Sequence, residues 1–190
     1  MKFNLMNTAA SVIDNNRGVI EIISPARTDY FCDICSSYQK LNAPFYYADI
    51  EGDFIFRCNI KPEFIQTYDA GGILAYESGN KWIKFAFEKT DLGHSSVVSV
   101  ITNGVSDDCN GEIIAFNDIW MQIVRKDNNW CLHYSKDKIN WKMVRYFRLE
   151  LSDKIKIGIF SQSPIGDGCK VIFSGIELLK NTYKNIRKAK

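Results

Sequence analysis

The stretch KWIKFAFEK, residues 81 to 89, alternates apolar and polar side chains with the two-residue period of a β-strand. As a strand it places Ile83, Phe85 and Phe87 on one face. The opposite face then carries Trp82, Lys84, Ala86 and Glu88. A strand in a β-sandwich buries one face against the partner sheet and turns the other outward. This stretch therefore predicts a buried sheet whose outer face has room for a ligand above the small alanine.

Ten other stretches show the same period or a short apolar run between turn signals, and they predict further strands. They cover residues 18 to 23, 45 to 50, 53 to 60, 71 to 78, 95 to 102, 119 to 126, 129 to 135, 141 to 149, 154 to 162 and 169 to 179. Only a short helical turn after Pro62 is expected besides them. The pattern predicts an all-β jelly-roll sandwich of two antiparallel sheets. With no linker or repeat, residues 1 to 190 are expected to form a single β-sandwich domain.

The composition favours some classes of partner over others. The 190 residues carry a formal net charge of +2, with 46% hydrophobic and 24% charged side chains. Such a chain offers no strong field to nucleic acid or to an anionic membrane, so neither is expected as a partner. The sequence contains no apolar run long enough for a membrane span, and its amino-terminal residues lack the apolar core of a secretory signal. We therefore expect a cytoplasmic location.

Six cysteines and two histidines are the candidate metal and redox residues. Cys32 and Cys35 form a CxxC motif, but the other cysteines are scattered singly. A zinc site needs a second close pair or paired histidines, and His94 and His133 are not spaced for that role. We expect free, mostly buried thiols, with no metal and no cofactor. A redox function of the CxxC pair is the alternative.

Four ordered stretches resemble the domain-of-unknown-function 1349 family, whose members include a fungal protein named for regulation of enolase. They are YDAGGILAYESGNKWIKFAFE (68 to 88), SVVSVITNGVSDD (96 to 108), LHYSKDKINWKMVRYF (132 to 147) and GIFSQSPIGDGCKVIF (158 to 173). TDYFCD (28 to 33) and residues 43 to 60 fit its opening strands more loosely. The family-like core is thus about 25 to 178. The resemblance implies a fold similar to the concanavalin A-like lectin and glucanase jelly roll, and it implies no particular reaction.

The family pattern carries over to seven candidate site residues: Trp82, Lys84, Glu88, Asn103, Asp107, Arg145 and, in a loop at the edge of the groove, Asp69. Two positions depart from the pattern. Asp108 stands where the family has an aromatic residue, which puts in doubt any stacking contact there. Lys138 stands in place of a turn glycine, so that turn must adopt a backbone that a residue with a Cβ tolerates.

This set combines an aromatic platform with directional polar groups, as recognition of a sugar requires. We therefore expect the protein to bind a carbohydrate or a small polar metabolite on a concave sheet face, and the sequence favours a binding protein over an enzyme. Two alternatives stay open. Glu88 with Asp69 or Asp107 would supply the paired carboxylates of a glycoside hydrolase. The fungal relative's name implies instead a regulatory module that meets a protein partner and affects carbohydrate metabolism.

Overall fold

The computed structural model describes residues 2–15 and 18–190, and these residues form sixteen β-strands. In chain order the strands are β1 (Asn4–Met6), β2 (Ser11–Asp14), β3 (Val19–Pro25), β4 (Tyr30–Cys32), β5 (Gln39–Leu41), β6 (Phe45–Glu51), β7 (Phe54–Glu63), β8 (Ala70–Ser78), β9 (Lys81–Lys89), β10 (Ser95–Asn103), β11 (Val105–Ile113), β12 (Ile119–Lys126), β13 (Asn129–Ser135), β14 (Lys142–Arg148), β15 (Lys154–Gln162) and β16 (Gly168–Leu179). All eleven predicted strands are present. Within the described ranges, no helix is long and apolar enough to cross a membrane.

The strands form two seven-stranded antiparallel sheets that pack face to face. The front sheet has the order β1-β6-β15-β8-β9-β10-β11, and the back sheet has the order β14-β13-β12-β7-β16-β3-β2. The predicted all-β jelly-roll sandwich of two antiparallel sheets is confirmed. Strand β9 pairs with β8 on one side and with β10 on the other. The stretch quoted first therefore lies inside the front sheet rather than at its edge.

The core between the sheets follows from the two-residue period. Ile83, Phe85 and Phe87 are fully buried there, as predicted. Burial of one such side chain stabilises the fold by about 1.5–3 kcal/mol. The sheets approach closely at Gly71, where a Cβ atom would lie 2.3 Å from a methyl group of Val171 on β16. Glycine is needed at this position because the opposing valine occupies the space.

A third layer covers part of the outer face of the front sheet, which the sequence predicted to be open. It contains the two-stranded β4–β5 ribbon. Tyr30 of β4 is fully buried, and its ring packs edge-on against Trp82 at 6.0 Å between centroids. The backbone N–H of Cys32 donates to Ser106 Oγ at 2.9 Å, and Thr28 forms a β-bridge with Ser163. The segment from residue 26 to 44, here called the covering layer, is thus held at both ends of the face.

The predicted helical turn after Pro62 is wrong, because Pro62 lies within strand β7. Strand β12 pairs with β7 only as far as Ile60, whereas β16 pairs with it through Glu63. Proline has no backbone N–H, and it is tolerated in a strand where one side lacks a partner. The strand therefore continues through the proline.

All six cysteines are free, as predicted, and four of them are buried. Cys32 is buried in β4, within the covering layer, whereas Cys35 is exposed in the turn that follows. Within residues 2–15 and 18–190, no group of three or more histidine, cysteine, aspartate or glutamate side chains is placed to hold a metal ion. A redox role for the CxxC pair stays a hypothesis.

Candidate functional site

A cavity of about 340 Å³ lies between the outer face of the front sheet and the covering layer. Strands β9 and β10 form its floor, and two loops complete its wall. We call it the outer-face pocket and define it by its lining residues, which are Asp29, Phe31, Tyr38, Tyr68, Lys84, Glu88, Val98, Val100, Asp108, Gln162, Pro164 and Ile165. The covering layer thus converts an open sheet face into an enclosed site.

Small residues on the outer face of the sheet leave space beside the pocket floor. Ala86 lies between Lys84 and Glu88 on the outer face of β9, and it pairs with Gly72 of β8. A Cβ atom at Gly72 would lie 2.5 Å from the ring of Phe160, so that ring rests directly on the glycine. The alternation of long, small and long side chains on β9 leaves space between the lysine and the glutamate, as the sequence predicted.

Lys84 is a buried cation in the pocket, with 3% of its side chain exposed. Its Nζ atom lies 3.4 Å from Asp29 Oδ1 and 3.4 Å from Gln162 Oε1. It also lies 5.9 Å from the centre of the Phe31 ring. Both polar distances are at the long end for hydrogen bonds. The ammonium group is therefore held in place, yet its neighbours satisfy it only weakly.

Glu88 is a buried carboxyl group without a hydrogen-bonding partner among the described residues, and 7% of the residue is exposed. Burial raises the pKa of Glu88 to about 8. The nearby carboxylates of Asp108, Asp29 and Asp91 raise it further, whereas Lys84 opposes the shift. Its oxygens are not among the fully enclosed polar atoms without a partner, and the side chain lines the pocket. Strongly shifted carboxyl groups in clefts are typical of functional sites.

Two aspartates complete the charge in the pocket. Asp29 Oδ1 accepts a hydrogen bond from the backbone N–H of Tyr30 at 2.8 Å, and Asp29 Oδ2 accepts one from the Tyr38 hydroxyl at 3.2 Å. Asp108 of β11 pairs with Val100 and turns to the same outer face. Burial and the neighbouring carboxylates raise the pKa of Asp108, whereas Lys84 lowers it. Three acidic groups thus face one ammonium group.

Of the predicted site residues, Trp82 lies on the expected face but is fully buried under the covering layer. It belongs to an apolar cluster with Tyr30, Phe45 and Phe160 rather than to the pocket lining. Its indole Nε1–H finds no acceptor among the described residues. In this structure the covering layer occupies the face that a ligand ring would need.

The predicted grouping of Asn103 and Arg145 with Lys84 and Glu88 on one surface is wrong. Strand alternation places Asn103, Asp107 and Arg145 on the side of the chain that faces the partner sheet. Arg145 of β14 forms an ion pair with Asp107 of β11 at 3.0 Å. Asn103 is exposed at the end of β10. The ion pair connects edge strand β11 of the front sheet with edge strand β14 of the back sheet. It lies on the inner side of the front sheet, opposite the pocket.

Asp69 holds loops that form the pocket rim. It is fully buried, and its Oδ2 atom accepts hydrogen bonds from the backbone N–H groups of Ile65 and Gln66 at 3.0 and 2.8 Å. Its Oδ1 atom accepts one from Ser163 Oγ at 2.6 Å. The adjacent Tyr68 has a φ of 68°, an uncommon value for a bulky residue, and its side chain lines the pocket. Asp69 therefore positions the wall. Direct contact with a ligand stays a prediction.

Sequence reasoning missed six polar and aromatic lining residues: Asp29, Phe31, Tyr38, Tyr68, Asp108 and Gln162. Asp29 and Phe31 belong to the TDYFCD stretch, which fits the opening part of the family pattern. Asp107 and Asp108 are neighbours in the chain, so a strand through them turns their side chains to opposite faces of the sheet. No strand was predicted over 105 to 113. Predicting β11 would have placed Asp108, rather than Asp107, on the outer face with Lys84.

Solved structures with the same architecture include a functionally unknown protein from Saccharomyces cerevisiae, with 23% identity and a TM-score of 0.89. That alignment covers 95% of this chain and 97% of the yeast chain. The carbohydrate binding module CBM66 from Bacillus subtilis has 11% identity and a TM-score of 0.60, and 93% and 94% of the two chains are covered. These identities establish a shared fold alone.

A larger protein contains the same architecture as one part. The GH43 protein BlXynB from Bacillus licheniformis aligns with 13% identity and a TM-score of 0.72. The alignment covers 93% of this chain but 36% of BlXynB. A comparison with the curated proteins gave no match. The likeness to BlXynB therefore concerns the sandwich only.

The family comparison extends over nearly the entire sequence. The model of the family described as "Protein of unknown function (DUF1349)" matches residues 5–181. This span includes all four stretches that carried the resemblance and every residue that lines the outer-face pocket. The chain belongs to the DUF1349 family.

Proposed function

We propose that the protein binds a carbohydrate or a small polar metabolite in the outer-face pocket. One observation carries the proposal. Lys84 and Glu88 are both more than nine-tenths buried, both line the same cavity, and Glu88 finds no hydrogen-bond donor among the described residues. Burying such groups without full pairing is costly. Hydroxyl groups of a ligand would supply the missing partners.

The other lining residues fit a sugar. Phe31, Tyr38 and Tyr68 give the wall aromatic surface against which the apolar face of a sugar ring can pack. Lys84 can donate to ring hydroxyls, and Asp108 can accept from them. A volume of about 340 Å³ is within the usual range of small-ligand pockets. The fold shared with the carbohydrate binding module CBM66 supports the same class of ligand.

Calorimetric titration of the full chain with a panel of neutral, amino and acidic mono- and disaccharides tests this proposal. The wild-type protein is expected to bind at least one sugar, and ligand at 100 times its Kd would then stabilise the fold by about 2.7 kcal/mol. Lys84→Met is expected to weaken that binding by about tenfold or more. Lys61→Met on β7, an exposed position in the other sheet, is the matched control and is expected to bind like wild type. Unchanged affinity in Lys84→Met would contradict the proposal.

A glycoside hydrolase is the second candidate, and one observation favours it. Glu88, whose pKa is raised to about 8, shares the pocket with Asp108 and Asp29. A carboxyl group that keeps its proton at neutral pH can act as a general acid beside ionised carboxylates. Release of nitrophenol from aryl glycosides by wild type, abolished in Glu88→Gln, would establish the hydrolase. Recovery of every glycoside intact would leave binding as the function of the pocket.

A further inference from the structure

The charge of the outer-face pocket indicates which sugars it would accept, an inference that rests on the proposed function. Asp29, Glu88 and Asp108 line the cavity, and Lys84 is the basic residue among the described lining residues. Lys84 is already within 3.4 Å of Asp29. Among the described residues, no ammonium or guanidinium group forms an ion pair with Glu88 or Asp108. Among its described lining residues the pocket therefore holds three acidic groups and one basic group.

The excess of acidic groups comes from separate elements that converge on the cavity. Glu88 lies on β9, Asp108 on β11 and Asp29 in the covering layer. Asp91, in the loop after β9, is near enough to raise the pKa of Glu88, although it does not line the cavity. Charges in an enclosed site interact more strongly than charges in water. A ligand carboxylate or phosphate would find one ammonium group among the described lining residues, and that group already contacts Asp29. A ligand cation would meet two carboxyl groups that lack an ion-pair partner.

The aromatic wall also suits a cation. The Phe31 ring already lies 5.9 Å from the Lys84 ammonium group, and Tyr38 and Tyr68 extend the aromatic surface around the cavity. Aromatic faces attract ammonium groups, and they also pack against the C–H face of a sugar ring. A ligand that carries both features would use the carboxyl groups and the aromatic side chains together.

We propose that the outer-face pocket selects a sugar with a free amino group, whose ammonium group pairs with Glu88 and Asp108, and that it excludes sugar acids and sugar phosphates. The remaining hydroxyl groups contact Lys84 and Gln162. The selection is made by charge, so it distinguishes an amino sugar from the same sugar with a hydroxyl or an acetylated amine in its place.

Matched sugar pairs test the proposal by calorimetric titration of the full chain at pH 7. The pairs are glucosamine with glucose and galactosamine with galactose, with N-acetylglucosamine and glucuronic acid as further probes. The amino sugar of a pair is expected to bind at least about tenfold more tightly than its neutral partner, and glucuronic acid more weakly than either. In Glu88→Gln the ratio of the affinity for the amino sugar to the affinity for its neutral partner is expected to fall to about twofold or less. Asp108→Asn, on the exposed side of the pocket wall, is expected to reduce this affinity ratio too.

Proton release gives an independent readout of the same contact. Glu88 holds its proton at pH 7 in the free protein, because its pKa is raised to about 8. Pairing with an ammonium group lowers that pKa, so binding of glucosamine is expected to release up to about one proton. Calorimetric titration in buffers of different ionisation enthalpy measures the number of protons released per glucosamine bound. The release is expected to disappear in Glu88→Gln and to persist in Glu51→Gln, which changes an exposed glutamate at the end of β6.

The outcomes separate this inference from the proposed function. Equal affinity for both members of each pair, or tighter binding of glucuronic acid, would overturn the selection by charge and leave sugar binding intact. Failure of every sugar in the panel to bind would overturn the proposed function and this inference with it. A preference for amino sugars that Glu88→Gln leaves unchanged would overturn the assignment to Glu88.

Discussion

The two outer faces of the sandwich are both covered in part by chain segments, and the covering of the front sheet leaves a cavity beside buried titratable groups. On the front sheet the covering layer leaves the outer-face pocket over Lys84 and Glu88. On the back sheet, residues 180 to 190 lie over strands β12 and β13, where His133 is fully buried. Both faces therefore place a titratable side chain in a mostly buried position.

The two faces differ in how their polar groups are satisfied. Gln122 Nε2 lies 3.3 Å from His133 Nδ1 and donates to it, and His133 Nε2–H donates to the carbonyl of Arg187 at 3.3 Å. The Tyr183 hydroxyl donates to Gln122 Oε1 at 3.3 Å. A neutral imidazole has one donor and one acceptor, and both are used here. Glu88 finds no such partner among the described residues. The satisfied network stabilises the fold, whereas the Glu88 carboxyl group keeps its hydrogen-bonding capacity toward the pocket, as the proposed function requires.

The largest expected effect comes from breaking the satisfied face. His133→Ala removes a buried ring and leaves the Gln122 amide without its partner, so we expect a loss of about 3 kcal/mol in the free energy of unfolding. Urea denaturation at pH 7 measures this loss. His94→Ala, in the partly exposed loop after β9, is the matched control and is expected to change stability by less than about 0.5 kcal/mol. A loss below about 1 kcal/mol in His133→Ala would contradict a structural role.

The second prediction concerns folding stability, to which His133 on the back sheet and Glu88 on the front sheet give opposite pH dependence. Burial lowers the pKa of His133 from 6.5 to about 4, so the unfolded chain binds more protons in that interval and stability is lost as pH falls through it. Burial raises the pKa of Glu88 from 4.5 to about 8, so the folded chain binds more protons in that interval and stability is lost as pH rises through it. The ligand-free protein is therefore destabilised by Glu88 at high pH.

Removing the carboxyl group isolates this contribution. Glu88→Gln is expected to be more stable than wild type by about 2 kcal/mol at pH 6 and to match it near pH 4.5. Urea denaturation across this pH range measures the difference. Glu51→Gln is the control and is expected to follow the wild-type profile at every pH. A Glu88→Gln variant that is less stable than wild type at pH 6 would show that the carboxyl group is structural.

The sequence allowed prediction of most strands because the sandwich core imposes its period on them. Ile83, Phe85 and Phe87 face the core, and their alternation is visible in the chain itself. Strand β11 was missed because its sequence, VSDDCNGEI, is mostly polar and exposed at the sheet edge. Strands β1, β2, β4 and β5 have three or four residues each, too few to show a period. Local pattern thus reveals a strand where burial alternates, and it fails at short or edge strands.

The site was predictable only where one strand determines it. Lys84 and Glu88 share a face of β9, and alternation alone places them together. Asp29 reaches the same cavity from the covering layer and Gln162 from β15, so their proximity depends on long-range packing that no local pattern shows. Tyr68 depends on a positive φ fixed by neighbouring loops. The floor of the pocket is therefore encoded locally, and its walls are encoded by the tertiary fold.

The smallest expected effect concerns Arg145, which the sequence predicted to lie in the binding site and which the structure places at the edge of the sandwich. Arg145→Met breaks a partly exposed ion pair with Asp107, so we expect a loss of about 0.5 kcal/mol in the free energy of unfolding and no change in sugar affinity. Arg148→Met breaks the exposed pair with Glu150 at 3.2 Å and serves as the control for removal of one surface arginine. Urea denaturation and calorimetric titration of the same samples measure both quantities. Loss of sugar binding in Arg145→Met with stability unchanged would contradict the proposed site. The ligand would then be held between the sheet edges, on the face that the covering layer does not reach. The lack of a partner for the Glu88 carboxyl group would need another explanation.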